Sequence, residues 1–312
     1  MLPVVTIVLP VFGLILLGYL SARFSWLTAN AEKGIAEFAF TLAMPALLFK
    51  SVATAEFSGL SIIGIWGTYF GTIFVIWLLS TLVTWKVLRR PAPDGPPIAM
   101  STTFGNLVML GLPLGIATFG NDGAPVIALI LAIHAPVLWL TGTFHAGLVD
   151  RDGDKSLRDA LASLVNELAR NPIIIAIALG ALWRLTGIEL PAPALTMMTL
   201  LAQASVPTAL VALGMSIMRS AIKGQAPTLT SIIGLKMIAM PLMVYVLGMY
   251  VFGLSPLTVS VLTLLAAVPT GANAYLFAVK TGHAVNSASG AVALGTLLSA
   301  VTISALLAAI HQ

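Results

Sequence analysis

The residues able to do chemistry in this chain are few, and they gather in unusual places. The stretch AAVPTGANAYLFAVK, Ala266 to Lys280, sets Pro269, Thr270, Gly271, Asn273 and Tyr275 in the middle of an oily run. A second stretch, STTFGNLVMLGLPLGIATFGNDGA, does the same with Gly105, Asn106 and Pro113. A proline inside a helix removes one backbone hydrogen bond and clashes with the preceding turn. In hydrocarbon the freed carbonyls and amides are costly unless protein or water meets them. Two such breaks facing one another would share a wet cavity and satisfy each other's orphans. They would also aim two half-helix N-termini, with unpaired N–H groups and partial positive charge, at that cavity. The chemistry predicted is therefore recognition of an anion, with the Asn106 and Asn273 amides and the Thr270 and Tyr275 hydroxyls as further donors.

Three other polar groups lie deep in apolar sequence. Lys236, in SIIGLKMIAMPLMV, is about ten residues into its apolar run, and intramembrane charge is a functional candidate by default. It reads as a positive charge near a substrate carboxylate, as a stand-in for a coupling cation, or as a structural partner of a carbonyl cluster. His134, in LAIHAPVLWL, is either a proton carrier or a packing residue. Gln203, just before Pro207, faces either the substrate path or a neighbouring helix. The apolar runs hold no central Asp–Asp or Asp–Lys cluster, no His-x-x-x-His pattern and no Gly-rich phosphate loop, and the chain has no cysteine. Neither a cofactor, a bound metal nor an intramembrane catalytic dyad is expected.

These groups must be held by membrane helices. Of 312 residues 59% are hydrophobic and 8% charged, with a mean hydropathy of +1.03. A soluble domain carries about 25% charged residues, so the chain reads as an integral membrane protein. The net charge of +4 is loop charge and no nucleic-acid footprint. The N-terminal run lacks a positive flank, its first base being Arg23, which suits a helix that stays in the membrane.

Splitting the chain at polar clusters predicts ten spans: 3–22, 34–53, 60–87, 98–119, 123–148, 167–187, 194–218, 227–252, 256–279 and 285–310. Loops after odd-numbered spans hold Arg23, Lys33, Lys86, Arg89, Arg90, Arg151, Lys155, Arg158, Arg170, Arg219, Lys223 and Lys280, whereas loops after even-numbered spans hold Lys50 and Arg184. By the positive-inside rule the odd loops are cytoplasmic and both termini lie on the non-cytoplasmic side. Five spans precede the charged linker and five follow it, so a second copy would be inverted relative to the first. The expected organisation is a first five-helix repeat at 1–149, a cytoplasmic linker at 150–166 and an inverted repeat at 167–312. LAMPALLF in span two matches ASVPTALVALG in span seven, and the broken spans four and nine match each other, the pattern of an inverted-repeat transporter.

The motifs GNLVMLGLPLG and VPTGANAYLFA, with the opening LPVFGLILLGYLSAR, resemble the auxin efflux carrier family along essentially the whole chain. Its bacterial branch includes malonate and other carboxylate transporters. The resemblance implies an all-α membrane fold of ten helices in two inverted repeats, with helices 4 and 9 crossing as discontinuous helices. It implies a scaffold of spans 1, 2, 6 and 7, a mobile transport domain of spans 3–5 and 8–10, a homodimer and an elevator-like motion. Asn106 and Pro113 fall on one crossing strand, Pro269 and Asn273 on the other. The chain lacks the long central loop of the plant members, so regulation by phosphorylation of such a loop is not expected. The expected protein is a secondary transporter of small mono- or dicarboxylates, held in lipid in a bacterial inner membrane. A sodium- or proton-coupled symporter of the bile-acid type is the alternative.

Overall fold

A computed structural model of the chain describes residues 2–54, 59–149, 165–166, 169–219 and 225–310. The linker expected at 150–166 lies outside the described residues except for Val165 and Asn166. In chain order the principal helices are α1 Leu2–Arg23, α2 Ala29–Thr54, α3 Ile62–Val87, α4 Gly95–Thr103, α5 Leu107–Val149, α6 Pro172–Leu185, α7 Ala192–Arg219, α8 Ala226–Val251, α9 Pro256–Ala267, α10 Ala272–Thr281 and α11 Val285–Ile310. Among the described residues six of these, α2, α3, α5, α7, α8 and α11, are long and apolar enough to cross a membrane. The extended pairing among the described residues is a single antiparallel bridge, Gly105 with Thr270.

Local chemistry sets where the helices begin and bend. Thr28, Ser61, Asn171 and Ser255 cap helix N-termini by accepting backbone N–H bonds through their side chains. Pro172 and Pro256 occupy first positions, where no N–H is needed. Inside helices, proline is accommodated by a repeated device. Widened π-turns at Ala39–Ala43, Leu107–Gly111 and Leu235–Ala239 each end two residues before a proline, namely Pro45, Pro113 and Pro241. The proline ring excludes the carbonyl four residues back. The widened turn instead bonds five residues back, as Leu112 N–H does to the Leu107 carbonyl. Within α5, Gly120 has φ 60° and ψ −148°, which splits the element at the polar hinge GNDG.

Packing separates into two neighbourhoods. Helix α1 runs along α7, and α2 packs on α6 and α7. Gly18 and Gly214 make the α1–α7 approach possible: a Cβ on either would collide with a backbone carbonyl, of Val211 or of Ile15. Helix α3 packs on α4, α9 packs on α5 and α8, and α10 packs on α4 and α11. In this second group Tyr69, Ile73, Met100, Leu110, Leu112, Ile127, Leu262 and Leu265 are all buried, part of one core that continues into the first group. The outer faces carry exposed Leu78, Leu82, Ile238, Leu242 and Tyr250. Apolar side chains turned outward over so much of a helical surface belong in lipid, and the protein is an integral membrane protein.

Candidate functional site

Two helix breaks meet inside the second group. Helix α4 stops at Thr103 and α5 begins at Leu107; α9 stops at Ala267 and α10 begins at Ala272. The two interruptions satisfy each other. Asn106 N–H donates to the Pro269 carbonyl at 2.8 Å, and Gly271 N–H donates to the Phe104 carbonyl at 2.9 Å. Other freed carbonyls find side chains. The Thr270 hydroxyl donates to Ser101 O at 2.7 Å, and the Lys236 ammonium donates to Ala266 O at 2.8 Å. A backbone stretch that would be costly in hydrocarbon is thereby largely paired within the protein. Gly271 is required by this closeness, because a Cβ there would stand 2.9 Å from Gly105 O and 3.2 Å from Asn106 N.

A cavity of about 360 Å³ opens beside the bridge. Its wall includes Leu107, Val108 and Met109 from the first turn of α5, and Gly271, Ala272 and Asn273 from the start of α10. The first N–H groups of a helix have no acceptor within it, and each helix N-terminus carries roughly half a positive charge. Two such ends on one cavity suit an anion. Gly105, Asn106 and His134 also line it, as do the apolar side chains of Phe40, Phe104, Leu131 and Ile173.

Of the residues singled out from sequence, Gly105, Asn106, Gly271, Asn273 and His134 thus come together. Pro269 and Thr270 are buried behind the wall, where the Pro269 carbonyl and the Thr270 hydroxyl hold the breaks in register. Pro113 is buried one turn along α5, off the cavity, and ends the π-turn that starts at the cavity wall. Tyr275 is exposed on α10 and Gln203 is exposed on α7, and neither lines the cavity. Lys236 is wholly buried, and its Nζ lies 3.4 Å from Met240 Sδ. A Cβ on Gly105 would stand 3.2 Å from that Nζ, so the ammonium sits beneath the bridge.

His134 is 3% exposed, and neither ring nitrogen has a hydrogen-bond partner. Its ring meets Phe104 edge-on at 4.7 Å between centroids and lies 5.9 Å from Tyr69, whose hydroxyl is likewise unpartnered. Sequence reasoning missed Phe40, Thr41 and Asn171, which α2 and the start of α6 contribute to the cavity. The Asn171–Pro172 pair has the form of a helix start, which signals a cap and carries no hint of a binding wall.

Broken apolar helices that bond to each other beside a mainly apolar cavity with a few polar groups form an arrangement suited to holding a solute away from bulk water. A family model described as "Membrane transport protein" matches residues 3–307, and the chain belongs to this family of membrane transporters, the auxin efflux carrier family that its motifs resemble. It is 27% identical over 303 residues to the "Putative malonate transporter" of Rhizobium meliloti, covering 96% of this chain and 94% of that one. It is 25% identical over 307 residues to an "Uncharacterized transporter" of Methanothermobacter thermautotrophicus, covering 95% of each. A shorter similarity, 30% over 106 residues, links 33% of the chain to 12% of the "Lysosomal cholesterol signaling protein" of Mus musculus.

Proposed function

We propose that the protein is a secondary transporter of small organic anions, mono- or dicarboxylates, that works by an elevator-type alternating-access motion. The observation that carries this reading is the reciprocal pair of hydrogen bonds, Asn106 N–H to Pro269 O and Gly271 N–H to Phe104 O, which brings two helix N-termini to one cavity. A carboxylate there accepts from N–H groups in the first turns of α5 and α10, beyond Leu107, whose own N–H already donates to Gly105 O at 2.8 Å, and from the side-chain amides of Asn106 and Asn273. Phe40, Phe104 and Leu131 contact its carbon skeleton. The name of the Rhizobium relative, which specifies malonate, agrees with that ligand class.

The wider architecture follows the same reading. Ten spans form two inverted repeats, with α4–α5 and α9–α10 as the discontinuous pair that cross. The packing of α1, α2, α6 and α7 on one another supports a scaffold, and the packing of α3–α5 with α8–α11 supports a transport domain that slides against it. The scaffold pairs two protomers, the membrane is a bacterial inner membrane, and both termini face away from the cytoplasm.

Lys236 places its ammonium on the Ala266 carbonyl at the C-terminal end of α9, beneath Gly105 just past the end of α4. Helix C-termini carry partial negative charge, so Lys236 neutralises the ends that point away from the anion. In a sodium-coupled symporter a metal cation would serve there; here the chain supplies the charge itself.

The test is uptake of radiolabelled carboxylates into proteoliposomes, repeated with imposed pH and sodium gradients. Wild-type protein should accumulate at least one small carboxylate, and Asn273→Ala should abolish that uptake while still inserting and purifying as a folded protein. Full uptake by Asn273→Ala would remove the cavity from the transport path.

A further inference from the structure

The cavity holds fixed positive charge enough for one carboxylate. Among the described residues its lining contains no Lys, Arg, Asp or Glu, and two helix N-termini supply about half a charge each. A dicarboxylate dianion entering it brings one negative charge that neither backbone end offsets. His134 is the cavity-lining side chain that can change its charge. Buried imidazoles ordinarily find hydrogen-bond partners, and an unpaired one calls for an explanation. Here both nitrogens are buried without a partner, against the wall that Phe104 makes.

We propose that His134 binds one proton when a dicarboxylate occupies the cavity, so that a dianion crosses the membrane with one proton and a monoanion crosses without it. This rests on the reading of the cavity as an organic-anion site. The proton comes from water at the open side of the cavity, attaches to a free ring nitrogen, and leaves with the anion on the other side.

The groups facing His134 fit that role. From α3 it faces the Tyr69 ring at 5.9 Å between centroids, whose hydroxyl is unpartnered, and the Phe104 ring, in the break before α5, covers it at 4.7 Å. From α8 the nearest cationic group is the Lys236 amine, which sits beneath Gly105 of the same cavity wall. Imidazolium beside an ammonium and out of water is unfavourable in the unloaded site. The second carboxylate reverses that balance, and by linkage the proton in turn tightens the dianion. The loaded site then carries the same net charge with either ligand, which lets one transport domain move both.

The experiment uses proteoliposomes containing the full-length protein and a pH-sensitive dye, with malonate and pyruvate as probes. It is run at about pH 7.5, well above ordinary carboxyl values, so that the dianion is the form presented. Wild type should deliver about one proton per malonate and none per pyruvate. His134→Gln should lower the malonate-to-pyruvate uptake ratio at least about tenfold. His134→Lys, with a permanent charge, should carry malonate without moving a proton. Malonate uptake without acidification in the wild type would overturn the proposal, and this measurement stands even where a variant fails to fold. An unchanged uptake ratio in folded His134→Gln would overturn it equally. Failure of the wild type to transport either probe, or any other carboxylate, would instead sink the anion-carrier reading beneath it.

Discussion

Gly271→Ala is the smallest change that tests whether the two breaks act as one unit. The new methyl would lie 2.9 Å from Gly105 O and 3.2 Å from both Asn106 N and Cα. All three neighbours are backbone atoms, so no side chain can rotate away. Relief requires the two strands of the bridge to part by several tenths of an ångström. The bonds at stake are Gly271 N–H to Phe104 O at 2.9 Å and Asn106 N–H to Pro269 O at 2.8 Å. Each buried group left without its partner costs about 1–3 kcal/mol, so loss of both bonds displaces the native break geometry by roughly 2–6 kcal/mol. A loss of 2 kcal/mol alone corresponds to a roughly 30-fold drop in the population of the binding-competent arrangement. The fold itself should survive, because the helices on either side keep their own bonds and core contacts. Carboxylate uptake in proteoliposomes, with melting in detergent as the control for folding, should show uptake reduced at least about 30-fold. Gly13→Ala, where nothing lies within 4 Å of the added methyl, should leave both unchanged. Uptake by Gly271→Ala within about twofold of wild type would refute the claim that the bridge shapes the site.

Lys236→Met removes the donor to Ala266 O and the charge opposing the two helix C-termini, while relieving the burial of an ammonium. These effects on stability partly cancel, so Tm in detergent should shift by only a few degrees while uptake falls at least about tenfold; wild-type uptake would reduce Lys236 to a structural support. Gly214→Leu drives a side chain into the Ile15 carbonyl and the Tyr19 amide across the α1–α7 contact. Overpacking of this kind costs about 1–3 kcal/mol, and thermal melting should show a clear drop in Tm, whereas an unchanged Tm would mean that the two helices are not locked by their glycines.

The breaks were legible because proline, glycine and asparagine in an oily run have few uses other than interrupting a helix. Not every polar residue named near a break reaches the cavity. Asn273 and Tyr275 are two residues apart on α10, which turns them about 200° from each other. When Asn273 faces the cavity, Tyr275 must face away, and it is exposed. Thr270 looked like a donor for substrate, yet Ser101 O is an orphan carbonyl within its reach and takes that bond. Pro113 was read as a binding residue, and its visible effect is upstream, in the π-turn whose first residues border the cavity. Phe40, Thr41 and Asn171 come from helices distant in sequence, and no local pattern marks a residue whose role is set by what packs across from it. The long-range positions of Lys236 and His134 were likewise invisible, although their burial was foreseeable from the apolar sequence around them.

On the proposed reading, the use of backbone ends in place of Lys or Arg has a consequence for turnover. A carrier must bind its anion on one side and release it on the other, so the site is limited by how firmly it holds as well as by whether it attracts. A buried bidentate pair between arginine and carboxylate is strong and specific in geometry, and breaking a buried charge pair is expensive. Two helix ends with about half a charge each attract a carboxylate through several weaker bonds, which water can replace one at a time as the cavity opens. After release, those N–H groups return to water, while the amides that hold the breaks together stay paired through Phe104 O and Pro269 O. The empty site therefore keeps its shape and leaves no unpaired side-chain cation on the cavity wall. Lys236 is kept out of the wall by its bond to Ala266 O. On that reading the Lys236 donor maintains the breaks, and the weaker dipoles are left to bind and release the anion.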